Sequence, residues 1–179
     1  MARRDIKSPQ KALLISGLIY RNGIELQKIF EDLKKAFGSI LKLSEVRPFS
    51  WSNYYEKEMG ADLLRCFLAF KALVEQDTLS LIKHKAMDIE DKWSVNGNRQ
   101  VNIDPGILTL ERLVLATTKN YTHRIYLGQG IYGDLTLIFQ RGKYRALEWT
   151  YPDYKSEFAL GFFLDSRSIL KQLLRTSVE

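Results

Sequence analysis

The chain has 179 residues, a net charge of +6 and a pI near 9.3, with 45% hydrophobic and 27% charged residues. These values are typical of a globular protein with a buried core, and no apolar run approaches the roughly 20 residues of a membrane-spanning helix. A single cysteine, Cys66, excludes an intramolecular disulfide framework, and the N-terminal segment lacks a signal-peptide cleavage site, so we expect a cytoplasmic protein.

The first part of the chain predicts strands and helices in an order typical of one compact motif. It contains a strand at 11–20, a helix between Asn22 and Gly38, strands at 40–46 and 63–73, a helix capped by Asp77, and a short strand ending at Asp104. Strand, helix, strand, strand, helix, strand is the order of a ferredoxin-like βαββαβ domain, in which two helices cover one face of an antiparallel sheet. We therefore predict a ferredoxin-like core at 11–104.

The remaining residues predict an extension of this core. A helix is expected to begin near Asp104-Pro105-Gly106, since proline is favoured in the first turn of a helix. Strands at 123–128, 134–140 and 144–150 and a C-terminal helix from Ser156 to Arg175 follow. Periodicity leaves open whether these strands extend the first sheet or form a second one. The predicted fold is α+β: a tail at 1–10, then one domain at 11–179 with the extension at 105–179.

Four short polar stretches are candidates for a functional site, and the first is NYYEKEMG at 53–60. Glu56 and Glu58 could form a carboxylate pair for a metal or for acid–base chemistry. Two glutamates beside Lys57 also fit a solvated loop.

The second stretch is VNIDPG at 101–106. Asp104 could hold a metal, or it could cap the helix expected to follow it. Backbone N–H groups at the start of that helix would attract an anion. In a ferredoxin-like sheet, the start of the third strand and the end of the fourth lie at opposite ends. This stretch and 53–60 should therefore share a site only if the 47–62 loop folds across the sheet.

The third stretch is TTKNYTHRIYLG at 117–128, which gathers hydroxyls, an imidazole and two cations. Lys119 and Arg124 could hold a phosphate, with His123 as the general acid or base because its free pKa lies near neutrality. The same cations also fit a helix C-terminus, where they would complement the helix dipole.

The fourth stretch is WTYPDY at 149–154. The rings of Trp149, Tyr151 and Tyr154 could stack on a base or a sugar while Asp153 hydrogen-bonds the ligand. Alternatively, proline fixes a turn here and the aromatic rings fill the space between the sheet and the last helix.

Three motifs together resemble a bacterial family known as a domain of unknown function. They are YYEKEMG (54–60), NIDPGILTLERLVLATTKNYTHRIYLGQGIY (102–132) and WTYPDY (149–154), and they occur in this order. The resemblance extends over nearly the whole chain from residue 11. It implies a small cytoplasmic bacterial protein and brings no assigned activity with it.

The leading functional hypothesis is a polar pocket for a phosphate-bearing ligand, either a nucleotide or the end of an RNA chain. The expected ligand-binding residues are Asp104, Lys119, Arg124, Tyr151, Asp153 and Tyr154. His123 or Glu58 would carry the proton if the protein catalyses hydrolysis or phosphoryl transfer. The chain has no phosphate-loop or dinucleotide-binding fingerprint, and no particular metal or cofactor is indicated.

Two other classes of protein remain open. A non-catalytic interaction module would use the aromatic and charged loops to contact a protein partner and would expose an apolar patch. A basic RNA-binding domain would use the positive charge, and its affinity would fall steeply with salt.

Overall fold

The computed structural model describes residues 6–176, so the first half of the predicted N-terminal tail and the last three residues lie outside the described range. The described strands are β1 (Ala12–Arg21), β2 (Ile40–Leu43), β3 (Arg47–Pro48), β4 (Leu63–Val74), β5 (Ser94–Val95), β6 (Asn98–Arg99), β7 (Val101–Leu108), β8 (Arg112–Thr117), β9 (Arg124–Gly128), β10 (Ile131–Gln140) and β11 (Lys143–Ala146). The described α-helices are α1 (Leu26–Phe37), α2 (Glu56–Met59), α3 (Leu79–Lys92) and α4 (Glu157–Thr176). The chain has the predicted α+β fold.

One large antiparallel sheet forms the centre of the molecule. Its strand order is β11-β10-β8-β7-β1-β4-β2, with β3 beside β4 and β9 beside β10, while β5 and β6 form a separate small ribbon. The later strands therefore extend the first sheet, which answers the question that periodicity left open. β1 lies between β4 and β7, and this central place explains why nine consecutive residues, 12–20, are buried.

Helices cover both faces of this sheet. Leu14 and Leu18 of β1 face one side, where Ile29 and Leu33 of α1 and the apolar residues of α3 pack. Leu13 and Ile15 face the other side, which α4 covers with Phe162, Phe163 and Leu170. Because side chains alternate along a strand, the continuous apolar run of β1 supplies both layers of core.

The helices begin later than their predicted caps imply, α1 by three positions from the cap Asn22 and α3 by one position from the cap Asp77. α1 starts at Leu26, and the preceding Glu25 makes no side-chain capping bond. α3 starts after a 3-10 turn, Gln76–Thr78, so Asp77 lies within that turn instead of capping the helix. Packing of the amphipathic face, rather than a cap, fixes the position of each helix.

The helix predicted from Asp104-Pro105-Gly106 is absent, because these residues continue β7. Residues 101–108 pair with β1, from Tyr20 opposite Val101 to Leu13 opposite Leu108. Pairing with a central strand outweighs the local preference of proline for the first turn of a helix. A tight connection, in which Thr109 N donates to Arg112 O at 2.9 Å, then leads into β8.

Pro105 and Gly106 have a different role from the one predicted. The β7–β8 ladder begins at Gly106, which pairs with Leu115, immediately after the proline that lacks an N–H group. A Cβ atom on Gly106 would lie 2.7 Å from the carbonyl oxygen of Val114, so only glycine allows the strands to approach so closely there. In the part of β7 that precedes Gly106, β7 and β8 are not paired and move apart.

The separated part of β7 is satisfied by side chains of α3. The N–H of Ile103 donates to Glu90 Oε1 at 2.6 Å, and its carbonyl accepts from Lys83 Nζ at 2.9 Å. Two buried polar side chains thus take the place of a neighbouring strand. This arrangement leaves a cleft between β7 and β8 on the side of the sheet that bears Asn102 and Asp104.

Candidate functional site

All four polar stretches contribute to one cavity of about 520 Å³. The cavity lies where β7 and β8 separate. Its lining includes Tyr54 and Tyr55 from the first stretch, Asn102 and Asp104 from the second, Thr117, Thr118 and Lys119 from the third, and Tyr151, Pro152, Asp153 and Tyr154 from the fourth. A volume of this size is ordinary for a small-molecule site.

The first and second stretches share this site because the fourth core strand lies later in the chain than predicted. The prediction ended that strand at Asp104, but β7 begins at Val101 and runs to Leu108. Val101 pairs with Tyr20, and Leu63 at the start of β4 pairs with the adjacent Arg21. The starts of β4 and β7 therefore lie at the same end of the sheet. The start of β4 and the end of β7 do lie at opposite ends, as expected, but Asp104 is in the middle of β7 and not at its end.

An ion pair between Glu58 and Arg99 links the first stretch to the second through Asn102. Glu58 on α2 accepts from Arg99 on β6, with Oε1 to Nε at 2.7 Å and Oε2 to Nη2 at 2.8 Å. Arg99 Nη1 also donates to Asn102 at 3.0 Å and contacts Glu90 at 3.3 Å. Hydrogen bonds from Arg99 hold the pKa of Glu58 below its usual range, whereas burial raises the pKa of Glu90.

Arg65 is the buried centre of the site. It projects from β4 onto the same face as Asn102, since both residues pair with Ile19 of β1. Its Nη2 lies 2.8 Å from Asp153 Oδ2, and its Nη1 lies 3.6 Å from Asp104 Oδ2. One guanidinium thus brings together carboxylates from two stretches that are far apart in sequence.

Aromatic rings and a glycine enclose that guanidinium. Its carbon lies 4.6 Å from the ring centroid of Phe67 and 4.8 Å from that of Tyr154. A Cβ atom on Gly17 would collide with the Tyr154 hydroxyl and would lie 2.7 Å from Arg65 Nη2. The three guanidinium nitrogens and the Tyr154 hydroxyl are buried, and none has a hydrogen-bond partner of good geometry within residues 6–176. The short Arg65–Asp153 approach is therefore an ion pair without an aligned hydrogen bond.

Burial also controls the acidity of the groups around Arg65. It raises the pKa of the Asp153 carboxyl, while the neighbouring arginine charge opposes that rise. It raises the pKa of Tyr55 and Tyr154 well above the usual range, so both hydroxyls keep their protons at neutral pH.

The third stretch contains a separate cluster centred on Asp134 of β10. His123 Nε2 lies 3.2 Å and Arg124 Nε lies 2.9 Å from Asp134 Oδ2. Arg124 also donates to the Tyr151 hydroxyl at 2.8 Å. The imidazole of His123 stacks on Trp149, with centroids 4.6 Å apart and planes 11° apart. This cluster therefore holds Tyr151 and Asp134, which line one wall of the cavity, in place.

Lys119 lies at the exposed mouth of the cavity. Its ammonium group contacts the hydroxyl of Tyr54 and lies 4.3 Å from the centroid of that ring. Within the described residues, no carboxylate lies within ion-pair distance of Lys119. The contact links the third stretch to the first across the opening.

The sequence profile of a family described as a domain of unknown function, DUF4416, matches residues 10–169. The chain belongs to the DUF4416 family. This result confirms the resemblance to a domain of unknown function that the three motifs indicated. No curated protein and no solved structure matches the chain.

The structure of this DUF4416 domain separates the predicted site residues into two groups. The cavity is lined by Asp104, Lys119, Tyr151, Asp153 and Tyr154, but not by Glu58, His123 or Arg124. Glu58 is engaged by Arg99, and His123 and Arg124 are engaged by Asp134. Tyr154 is a buried plug whose ring stacks on Phe163, with planes 5° apart, whereas Tyr151 is an exposed wall.

Sequence analysis missed four charged residues that line this DUF4416 site: Arg65, Lys83, Arg99 and Asp134. The sequence does indicate that Arg65 is unusual, because it interrupts the apolar run LLRCFLAF (63–70). A charge in a buried strand needs a partner. Asp134 similarly begins the apolar segment DLTLIF (134–139). The partners of both residues lie in other elements, and the sequence does not show which ones.

The described part of the DUF4416 domain contains neither a membrane-spanning helix nor a cluster of metal-ligating side chains. Within residues 6–176, none of the helices has the length and hydropathy that crossing a bilayer requires. Over the same range, no three histidine, cysteine, aspartate or glutamate side chains are grouped as a metal site would need. Asp104 and Glu58 are instead paired with arginines.

Proposed function

We propose that this cavity binds a phosphate-bearing small molecule, for which a nucleotide is the leading class and the end of an RNA chain a related one. The observation that carries the proposal is Lys119, an exposed ammonium group at the mouth with no carboxylate beside it in the described residues. A phosphate would supply the negatively charged partner that this lysine lacks.

The other cations of the region support this choice of Lys119, because each of them is already neutralised. Arg99 has Glu58 and Glu90 as partners, and Lys83 lies 4.0 Å from Glu90. Arg65 is paired with Asp153, and Arg124 is paired with Asp134. A ligand anion would therefore meet its strongest unpaired attraction at the mouth rather than in the interior.

Aromatic side chains at the opening suit the remainder of such a ligand. Trp51, Tyr54 and Tyr151 line the cavity and are all exposed. A flat base or the apolar face of a sugar stacks on such rings at about 1–3 kcal/mol for each base. Arg124 holds Tyr151 in place through its hydroxyl, so this wall is preorganised.

We also propose a fold classification and a cellular location for this protein. The order β7-β1-β4-β2, with α1 and α3 on one face, supports a ferredoxin-like classification of the core. The unpaired, buried thiol of Cys66 supports a reducing, cytoplasmic location. We propose binding and assign no reaction, because His123 and Glu58, the expected proton carriers, do not line the cavity.

A thermal-shift screen of the purified protein tests the binding proposal. The probes are nucleoside mono-, di- and triphosphates, sugar phosphates and short RNAs. A ligand at one hundred times its Kd stabilises the folded state by about 2.7 kcal/mol, which gives a measurable rise in the melting temperature. Lys119→Met should lose that rise while its own melting temperature without ligand stays unchanged, since the side chain is exposed.

The matched control is Lys143→Met, which removes an exposed lysine from β11 outside the cavity lining. It should keep the full ligand response. A screen without any hit, or a hit that Lys119→Met binds as well as the wild type does, would overturn the proposal.

A protein-interaction module is the second candidate, and one observation favours it. β9 pairs only with β10 in the described sheet, and its consecutive residues Ile125, Tyr126 and Leu127 are exposed, the first of them by 73%. An apolar edge strand can accept an extended segment of a protein partner as an additional strand. Basic RNA binding without a pocket is the third class predicted from the sequence, and its mark would be steep salt dependence.

The interaction candidate predicts a different pattern among variants. A captured partner should be lost from Ile125→Lys and retained by Lys119→Met. The reverse pattern, or equal capture by both variants, would argue against an interface at β9.

A further inference from the structure

Beneath its aromatic mouth, the cavity has a floor that offers hydrogen-bond acceptors. Two carboxylates, Asp104 and Asp153, share the single guanidinium of Arg65. The nitrogens of that guanidinium are enclosed by Gly17, Phe67 and Tyr154 and are not accessible from the cavity. A ligand that reaches the floor therefore meets a carboxylate before it meets the arginine.

Asp104 is the carboxylate that a ligand can reach. Its side chain is 25% exposed, compared with 9% for Asp153. Its Oδ2 atom accepts from Asn102 Nδ2 at 3.0 Å and faces Arg65, whereas no described residue donates a hydrogen bond to Oδ1. One oxygen of a fixed carboxylate is thus available to O–H or N–H donors of a ligand.

A chain of four contacts holds this carboxylate in place. Arg99 orients Asn102 at 3.0 Å, Asn102 orients Asp104, and Glu58 with Glu90 orients Arg99. Because the supporting residues are themselves hydrogen-bonded, the carboxylate loses little conformational freedom when it binds a ligand. The Glu58–Arg99 pair is therefore a positioning device for the floor.

We infer that the cavity recognises a phosphate ester by both of its ends and in one orientation. The phosphate lies at the mouth against Lys119, and O–H or N–H donors at the opposite end of the ligand bind Asp104. The inference rests on the proposed function and adds the direction of binding. Hydroxyls of a sugar and N–H groups of a base provide the same donor chemistry, so sugar phosphates and nucleoside monophosphates are the two sources to be distinguished.

The test combines changes in the ligand with changes in the protein. Affinities are measured by calorimetry for ribose 5-phosphate and the four ribonucleoside 5′-monophosphates. The measurements are repeated for analogues that lack the phosphate, the sugar 2′- and 3′-hydroxyls, or the amino group of the base. Each analogue is compared on the wild type, Asp104→Asn and Lys119→Met.

The wild type should lose about 10-fold or more in affinity when either end of the ligand is deleted, which is the effect of one hydrogen bond to a charged group. Lys119→Met should bind a ligand and its analogue without the phosphate with equal affinity. It should still bind the analogues without the hydroxyl or amino donors more weakly than the complete ligand. Asp104→Asn should show the opposite pattern. Binding of ribose 5-phosphate as tight as that of the nucleotides would identify the sugar as the donor.

The contrary outcomes separate the two claims. If Asp104→Asn discriminates against donor-deleted analogues as the wild type does, while Lys119→Met behaves as expected, then the orientation is wrong and the binding proposal stands. If no phosphate ester binds the wild type, both fall. Asp104→Ser is the second variant should Asp104→Asn fail to fold, and the melting temperature of each variant checks that point.

Discussion

Glu58 and Arg99 are joined by two parallel contacts, Oε1 to Nε at 2.7 Å and Oε2 to Nη2 at 2.8 Å. This pair ties the short helix α2 to β6 and, through Asn102, to the start of β7. Two segments of the chain that are 41 residues apart are thereby held together beside the cavity. Geometry of this kind, with a planar guanidinium facing both carboxylate oxygens, is the strongest form of surface ion pair.

The pair predicts a pH dependence of stability. The folded-state pKa of Glu58 is below its usual value near 4.5, so its contribution is fully present above that value and is lost as the pH falls through the folded pKa. The side chain is one-third exposed, so we expect Glu58→Gln to cost about 1 kcal/mol of unfolding free energy at neutral pH. Chemical denaturation of both proteins between pH 3 and 7 measures the difference, which should close at acid pH.

Glu56→Gln is the matched control, since Glu56 is an exposed residue in the same short helix. It should change the stability little at any pH. A Glu58→Gln effect that is constant from neutral to acid pH would contradict the ion-pair explanation.

Gly17 predicts a steric effect at the centre of the sheet. Gly17→Ala would place a methyl group against the Tyr154 hydroxyl and Arg65 Nη2, neither of which has space to move. We expect a loss of about 1–3 kcal/mol, measured by urea unfolding. Tyr154→Phe, which removes a buried hydroxyl without a partner, should recover part of that loss in the double variant.

Gly161→Ala provides the control for this substitution. Gly161 lies in α4, and a Cβ atom there would meet nothing within 4 Å. It should stabilise the protein by up to about 1 kcal/mol, because alanine is the better helix former. Equal effects at Gly17 and Gly161 would show that the close approach around Arg65 is not real.

Arg65 predicts a large electrostatic effect. Arg65→Met leaves Asp153 buried without its cation, and breaking a buried pair in this way costs about 3–5 kcal/mol. Adding Asp153→Asn to the same chain should restore part of the stability, since it removes the unpaired charge. Thermal and urea unfolding of the two variants measure this coupling, and Arg145→Met, on the exposed side of β11, is the control. Purely additive losses would exclude the proposed pairing.

The contacts of Asp134 with His123 and Arg124 predict that the cavity wall on which Asp134 lies depends on one carboxylate. Asp134→Ala leaves Arg124, whose side chain is 8% exposed, without a counter-charge and should destabilise the fold by about 3 kcal/mol. The stacked His123 and Trp149 should also separate, which would shift the fluorescence emission of Trp149 to the red. Asp88→Ala, an exposed change on α3, should do neither. A stable Asp134→Ala variant with unchanged emission would contradict this role.

Much of the fold could be predicted from local patterns. The apolar run at 11–20, the helical spacing before Gly38 and the C-terminal helix all lie within a few residues of their predicted bounds. Each helix buries a face whose periodicity is visible in its own residues, and the continuous apolar run indicates a strand that is buried on both faces. Asp104-Pro105-Gly106 misled the prediction because proline favours helix starts locally, whereas here Pro105 directly precedes the β7–β8 ladder and Gly106 permits a close strand approach.

The candidate site could be predicted only in part, since its geometry depends on partners in distant elements. Lys119 and Tyr151 were identified from residue type and do line the cavity. His123 and Arg124 have the chemistry of a phosphate site, but Asp134 engages both from another strand. The role of Arg65, inside an apolar run, could not be predicted, because its sequence neighbours do not indicate Asp104 or Asp153 as its partners.

The most direct test of the central claim is to map the amide chemical-shift changes of the protein when a nucleotide from the screen is titrated in. We predict that the largest changes fall together on residues 51–55, 102–104, 117–119 and 151–154, which line one cavity. Changes confined to β9, or spread over the surface without these four segments, would contradict the claim that the polar stretches form one ligand site.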